Sequence, residues 1–494
     1  MRLPLFFACI GIVCTIDSFG QQPISPVGTG ATPFALAQDY RALRWNPAGL
    51  SFSALRPDLK SAAGSLEGGV SLRSDMLDRT DLWDDLLNRE DTEQNWTGLS
   101  TAEWIDRIKG NSIELNADLV IAGSYRRAGR WGFGYVHRQS FAADLLLSEP
   151  TASLLFEGGA SSLFDFVILA TGDTLANQGN WNAETLSQIV SGFGGGALLA
   201  NILDESRIGF NYTKSHEVGI SRAWGDLNEG WLLHTGIGAR LILGNGYFSV
   251  SKNDDGTLDA FGAFSNGFNI PTLDTVAATV VDPTFDRLRN WGPVGQGWGV
   301  DLGVVLNHKD LIWASAALTN IGAVEWRGEK YLVEGVGIDS WNALANSPDA
   351  WIDAATAAMD PATWFDNGVA ETRKVALPLN FQLGGGMRLG KSLTLAAEAA
   401  FSDPNNIQAE GLRGGATAIL KLLPWVRIDA GLRKLQDETL RIPVGIVFQS
   451  NHSGWEGGLQ ASDAQGLWKS ASPELGMNFC FIRWVWSQKE NPKS

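Results

Sequence analysis

From residue 113 to residue 126 the chain alternates strictly. Ile113, Leu115, Ala117, Leu119, Ile121 and Tyr125 fall on one face, and Glu114, Asn116, Asp118, Ser124 and Arg126 on the other. A two-residue period over that length specifies a strand with one apolar and one polar side. About 9–11 such residues cross a membrane at a tilt, so this segment is long enough to span one. Ala128-Gly129-Arg130 then turns into Trp131, Phe133 and Tyr135, which makes a hairpin with aromatic residues at its base.

The pattern recurs at 231–243, 298–307, 377–384, 393–398, 426–433 and 440–449, and more weakly at 61–71, 208–222, 412–422, 455–461 and 475–484. The apolar stretch 261–268 is assigned to a loop. Together these predict about fourteen strands, an even number as in bacterial barrels. The connections sort by length. Short turns fall near Gly129, 226–229, His308, Gly390, Leu423-Pro424 and 451–453, whereas 74–111, 145–206, 251–296 and 328–374 are long. Short turns at one end and long loops at the other suit a membrane barrel, and a soluble sandwich has no reason to sort them. The expected fold is therefore all-β: a transmembrane antiparallel barrel spanning 58–486, with short helices in its long loops. Ser100-Thr101-Ala102-Glu103 and Asp360-Pro361 look like helix starts. The Trp-x-Asp pattern at Trp104, Trp351 and Trp364 reads as anchors of such helices or as a docking surface.

Composition agrees with this architecture and excludes others. The 57 Gly, 20 Trp and 23 Phe suit pleated strands and aromatic belts. A net charge of -16 argues against a nucleic-acid partner. Beyond the first residues no charge-free apolar run reaches the roughly 18 residues of a spanning helix; 189–203, an apolar loop in this reading, is broken by Gly192, Gly194, Gly195 and Gly196. Residues 1–20 have the form of an export signal, with Arg2, an apolar core and Ser18-Phe19-Gly20 ahead of Gln21. A lipoprotein signal at Cys14 is the rival, and Val13 is a poor residue before it. Removal of the signal leaves Cys480 as the one cysteine, so no internal disulfide can form.

The last strand, Glu474-Leu475-Gly476-Met477-Asn478-Phe479-Cys480-Phe481, resembles the C-terminal signal read by the barrel assembly machinery, with Gly476, Phe479 and Phe481 as its key positions. A short tail, 487–494, follows. At the other end, residues 28–50 lack alternation and contain Asp39 and the turn Asn46-Pro47-Ala48-Gly49. This segment resembles the N-terminal segment of an uncharacterised outer-membrane β-barrel family of Bacteroidota, and more distantly that of the long-chain fatty acid outer-membrane transporters. In the transporters it is a hatch inside a fourteen-stranded barrel. The resemblance implies a hatch at 21–57, with Asp39, Asn46 and Pro47 in the lumen; the other reading is a linker outside the barrel.

Little here supports catalysis, a cofactor or a metal. The five His are scattered, without HExxH spacing, and His137 with Ser140 or His234 with Thr235 are chance-level pairs. The calcium-loop likeness at 251–256 lacks the terminal Glu, with Gly262 in its place. Candidate lumen residues are Glu114, Asp118, Arg126, Arg240, Asp301, Glu398, Arg427, Asp429, Arg433 and Arg441. Mixed charges of this kind can hold a plug or line a path. Two functions are open: an outer-membrane transporter passing a small hydrophobic ligand through a plugged lumen, or a lipid-embedded anchor whose loops bind a surface protein.

Overall fold

The computed structural model describes residues 24–74, 105–106, 108–179, 181, 183–186, 188–225, 230–252, 257–265, 292–333, 337–341, 369–402, 412–434, 440–450, 453–467 and 474–487. The expected signal, the Trp-x-Asp tryptophans and the tail beyond Ser487 lie outside them. In chain order the strands are β1 (Leu59–Ser74), β2 (Ser112–Ala128), β3 (Trp131–Leu146), β4 (Phe166–Leu169), β5 (Thr174–Ala176), β6 (Ile189–Leu198), β7 (Arg207–Trp224), β8 (Trp231–Lys252), β9 (Leu258–Phe264), β10 (Gly295–His308) and β11 (Ile312–Val333). They continue as β12 (Gly337–Trp341), β13 (Val369–Ala376), β14 (Asn380–Leu389), β15 (Leu393–Ser402), β16 (Leu412–Leu423), β17 (Val426–Lys434), β18 (Leu440–Arg441), β19 (Val444–Gln449), β20 (Ser453–Ala461) and β21 (Glu474–Ser487).

Antiparallel pairing of β1 with β21 closes a barrel. Three wall positions are shared by two collinear segments, β9 with β10, β13 with β14, and β18 with β19, so seventeen strands fill fourteen positions. β4, β5, β6 and β12 form a separate small sheet from two of the long connections. Two expectations are corrected here. Within the 261–268 stretch, residues 261–264 belong to wall strand β9, which pairs with β8 on one side and β11 on the other, and residues 266–268 lie outside the described residues. The glycine-broken 189–203 stretch is strand β6 followed by a short helix, Leu199–Ile202, since the small sheet supplies it with partners.

The wall shows an apolar outer surface. Trp298 is 59% exposed, Phe381 46% and Trp484 48%, and such residues run around the whole circumference. A contiguous apolar band of that extent is a membrane face, far beyond what a protein in water leaves uncovered. The strand periodicity slips in one informative place. A bulge between Val120 and Ala122 of β2 turns Tyr125 inward, where it is buried, and sends Arg126 to the outer face. Arg126 is thus not a lumen residue: one extra residue in a strand exchanges its two faces.

Residues 24–58 fill the barrel from mid-height to its short-turn end. They form two 3-10 turns, Asp39–Arg44 and Pro47–Leu50, whose residues are all buried. The wall accommodates them through glycines. A Cβ on Gly132 would run into the Leu50 carbonyl, one on Gly236 into Pro47, and one on Gly303 into Asn46. Leu36, Tyr40, Leu43 and Leu50 are at most 1% exposed. At about 1.5–3 kcal/mol for each fully buried side chain of this size, the segment is part of the core rather than a loose cork.

Substitution of Gly236 by Leu should displace this segment, because the new side chain meets backbone it cannot push aside. Gly238→Ala should be tolerated, its Cβ finding only ordinary contact with the Leu43 carbonyl and the Asp301 side chain. Limited proteolysis of the 24–58 region, scored on folded protein, checks the contrast.

Candidate functional site

The internal segment has irregular backbone, and its amides need partners where water is scarce. Wall side chains provide them. Gly28 N–H donates to Gln460 Oε1 (3.1 Å), Ala31 N–H to Thr417 Oγ1 (2.8 Å), and Phe34 and Ala35 N–H to Glu398 Oε2 (2.9 and 3.1 Å). In return Trp313 Nε1–H donates to the Ala35 carbonyl (2.9 Å) and Asn46 Nδ2 to the Val304 carbonyl (3.4 Å). Asn46 also caps its own turn, accepting from Ala48 N–H (3.1 Å), with Pro47 at the first position.

Two charged clusters lock the segment laterally. In the first, Arg483 of β21 lies between Asp39 (2.6 Å) and Glu456, while Arg56 reaches Glu456 (3.5 Å) and Arg41 reaches Asp39 (3.4 Å). Asp39 adopts φ 53°, a left-handed conformation that a short polar side chain tolerates, and accepts from Arg41 N–H (3.1 Å). Tyr40 donates to Glu67, and burial reinforced by that carboxylate pushes its hydroxyl above the ordinary range, so it stays a donor. In the second cluster Arg44 binds Glu217 of β7 (2.8 Å) and Ser215 (3.3 Å), and Arg138 joins Glu217 (3.6 Å) to Asp118. Beside it Arg240 bridges Asp301 (2.9 Å) and Asn320 (2.6 Å).

Space remains around the segment. On the long-loop side a cavity of about 80 Å³ is floored by Ile24, Ala31, Pro33 and Trp45 and walled by Arg73, Glu114, Glu398, Arg413, Arg433 and Arg441. A second, of about 50 Å³, lies between Arg44 and the wall residues Arg240, Tyr247, Trp326, Val375, Leu377 and Pro378. It faces a break in the wall where β13 gives way to β14, and Asn320, at φ 67°, donates to the Pro378 carbonyl (2.8 Å) there. Successive residues of the segment therefore face different chambers, Trp45 the first and Arg44 the second.

Of the residues singled out from sequence, Asp39, Asn46, Pro47, Asp118, Arg240, Asp301, Arg427, Asp429 and Arg441 are buried, with Glu114, Glu398 and Arg433 half-buried. Arg427 approaches Gly28. Phe479 and Phe481 stack on the outer face (5.0 Å between ring centroids), and Gly476 sits beside Ser462 and Ser71. Neither imagined His–Ser/Thr pair forms. His137 points outward and Ser140 inward, where it donates to Asp118 (2.7 Å). His234 Nδ1 instead meets Ser51 Oγ (2.9 Å) and its Nε2 lies near Asn307 (3.4 Å), in a packed spot that borders neither cavity. Arg44, Glu217, Glu456 and Arg483 were missed. The even-spaced polar face Thr213, Ser215, Glu217 could have pointed to Glu217, whereas a wall irregularity around Leu66 and Phe481 conceals Arg483.

A closed wall with an apolar outer band and a chain segment lodged in its lumen defines an outer-membrane β-barrel with a transporter-like fold. Matched over residues 170–442, the chain belongs to the Family of unknown function (DUF5723). None of the curated proteins matches it. Similar solved structures include the TodX deltaS2S3 mutant monoaromatic hydrocarbon channel, at 11% identity, covering 94% of this chain and 99% of that one with a TM-score of 0.46. The Pseudomonas putida toluene transporter TodX shares 10% identity, with 95% and 98% coverage and a TM-score of 0.42. A Pseudomonas aeruginosa FadL homologue shares 12%, with 95% and 100% coverage and a TM-score of 0.41. Likenesses this remote say nothing about cargo.

Replacing Arg483 by Met removes the cation shared by two buried carboxylates, Asp39 and Glu456, and leaves them only the longer contacts of Arg41 and Arg56. Breaking such a network costs about 3–5 kcal/mol. Urea unfolding in detergent should show that loss, and adding Glu456→Gln should recover part of it.

Proposed function

We propose that this protein carries small hydrophobic or amphipathic molecules passively across the outer membrane, through a lumen gated by residues 24–58. The observation that carries the reading is the arrangement of the two cavities on either side of the Arg44–Trp45 step. A barrel serving only as an anchor gains nothing from retaining such chambers. The second has the composition a small amphipathic ligand needs, with Tyr247, Trp326, Val375 and Leu377 around Arg240 and Arg44.

Magnitude decides how the gate works. Four fully buried side chains alone hold the segment by about 6 kcal/mol or more, so wholesale expulsion is a poor mechanism. Local movement of the step is cheaper. Its restraint is the Arg44–Glu217 pair, and release of that pair would let the two chambers merge. The proposal is of a non-catalytic protein, supported by the separation of His137 from Ser140 and of His234 from both cavities.

Glu217→Gln keeps the shape of the latch and weakens its charge. In proteoliposomes the variant should pass toluene or a medium-chain alcohol several-fold faster than the parent protein, with sucrose still excluded. Equal rates would reject the gate. Purification in mild detergent followed by mass spectrometry should reveal co-purifying lipophilic ligand; a stoichiometric protein partner and no ligand would instead identify an anchor.

A further inference from the structure

The outer surface of β3 and β7 carries a polar group in an otherwise apolar band. His137 and His216 are register partners and stack with 4.5 Å between ring centroids. Tyr135 Oη lies 3.0 Å from His216 Nδ1. One step toward the long loops, Gln139 pairs with Lys214. Tyr212 donates to Gln139 Oε1 (3.0 Å), which leaves the N–H groups of that amide as donors, and Lys214 Nζ lies over the Tyr212 ring (5.9 Å). All of these face out, because the intervening Ser215 and Glu217 are buried in the lumen.

Their height is informative. Lys214 lies ten positions from Trp224, the short-turn end of β7. With a rise of about 3.4 Å and a tilt of about 40°, that is roughly 25 Å along the barrel axis, the full height of a lipid-facing band. Lys214 therefore sits at the long-loop rim, and the imidazoles lie just beneath it. A lysine on a lipid face is tolerated at the rim, where headgroups begin. The chain as a whole is acidic, yet no carboxylate faces outward from β2, β3, β7 or the described part of β8.

We propose that Lys214, His216, His137 and Gln139 form a binding site for the phosphate headgroup of an anionic membrane lipid, held against the outside of the wall. Lys214 supplies charge, Gln139 beside it and the imidazoles beneath it supply N–H donors, and Tyr135 with its register partner Val218, further toward the short turns, packs along the acyl chain. The site is independent of the luminal route, so it stands or falls apart from transport.

The test is native mass spectrometry of the full chain in dodecyl maltoside, titrated with phosphatidylglycerol or phosphatidylcholine. The expected result is retention of phosphatidylglycerol over phosphatidylcholine by about fivefold for each basic group engaged, lost in Lys214→Leu/His216→Leu and kept in Arg222→Leu at the opposite rim. Equal retention of both lipids, or a preference that survives the double substitution, overturns the proposal. Inorganic phosphate should not displace the lipid, and displacement would overturn the assignment to a lipid. Should the leucine variant fail to fold, as scored by heat-modifiable gel migration, Lys214→Gln/His216→Gln provides the same readout.

Discussion

An irregular peptide chain inside a closed barrel must satisfy every amide and every charge against the wall around it, because neither lipid nor bulk water can do so. Most of the interior follows from this. Glu398 receives two successive amides, Thr417 and Gln460 receive others, and Arg483 ties Asp39 to Glu456. These wall groups are spread over β15, β16, β20 and β21, so the segment also staples separate strands of the barrel together. Plug and wall are one folding unit, and inward glycines are the volume the wall yields to it.

Irregularities in the wall do the positioning. The bulge in β2 turns Tyr125 toward the segment and Arg126 toward lipid. The shift between Val300 and Leu302, with Asn320 opposite, brings Asp301, Arg240 and Asn320 into one cluster at the edge of the second cavity. A perfectly regular ladder would hold none of these side chains where they are needed. Regular pairing closes the barrel, and its faults build the site.

Much of the fold was visible beforehand. Alternation located the lipid face, loop lengths separated the two ends, and Asn46-Pro47 marked a compact turn. Three things escaped. The 261–268 stretch was assigned to a loop, and only its neighbours β8 and β11 make residues 261–264 part of a strand. Arg126 was assigned to the lumen because periodicity assumes constant register. Glu217 and Arg483 were overlooked because their importance comes from partners about 170 and 440 residues away, Arg44 and Asp39.

The order of side chains along each strand was enough to specify a membrane barrel, since the two-residue period is a local property of the backbone and lipid rewards only one face of it. Which charges meet, where the cavities open and which side of the wall each residue takes beyond a bulge were settled by the closed barrel. Those depend on register between strands and on contacts across the lumen, neither of which has a local signature in the chain.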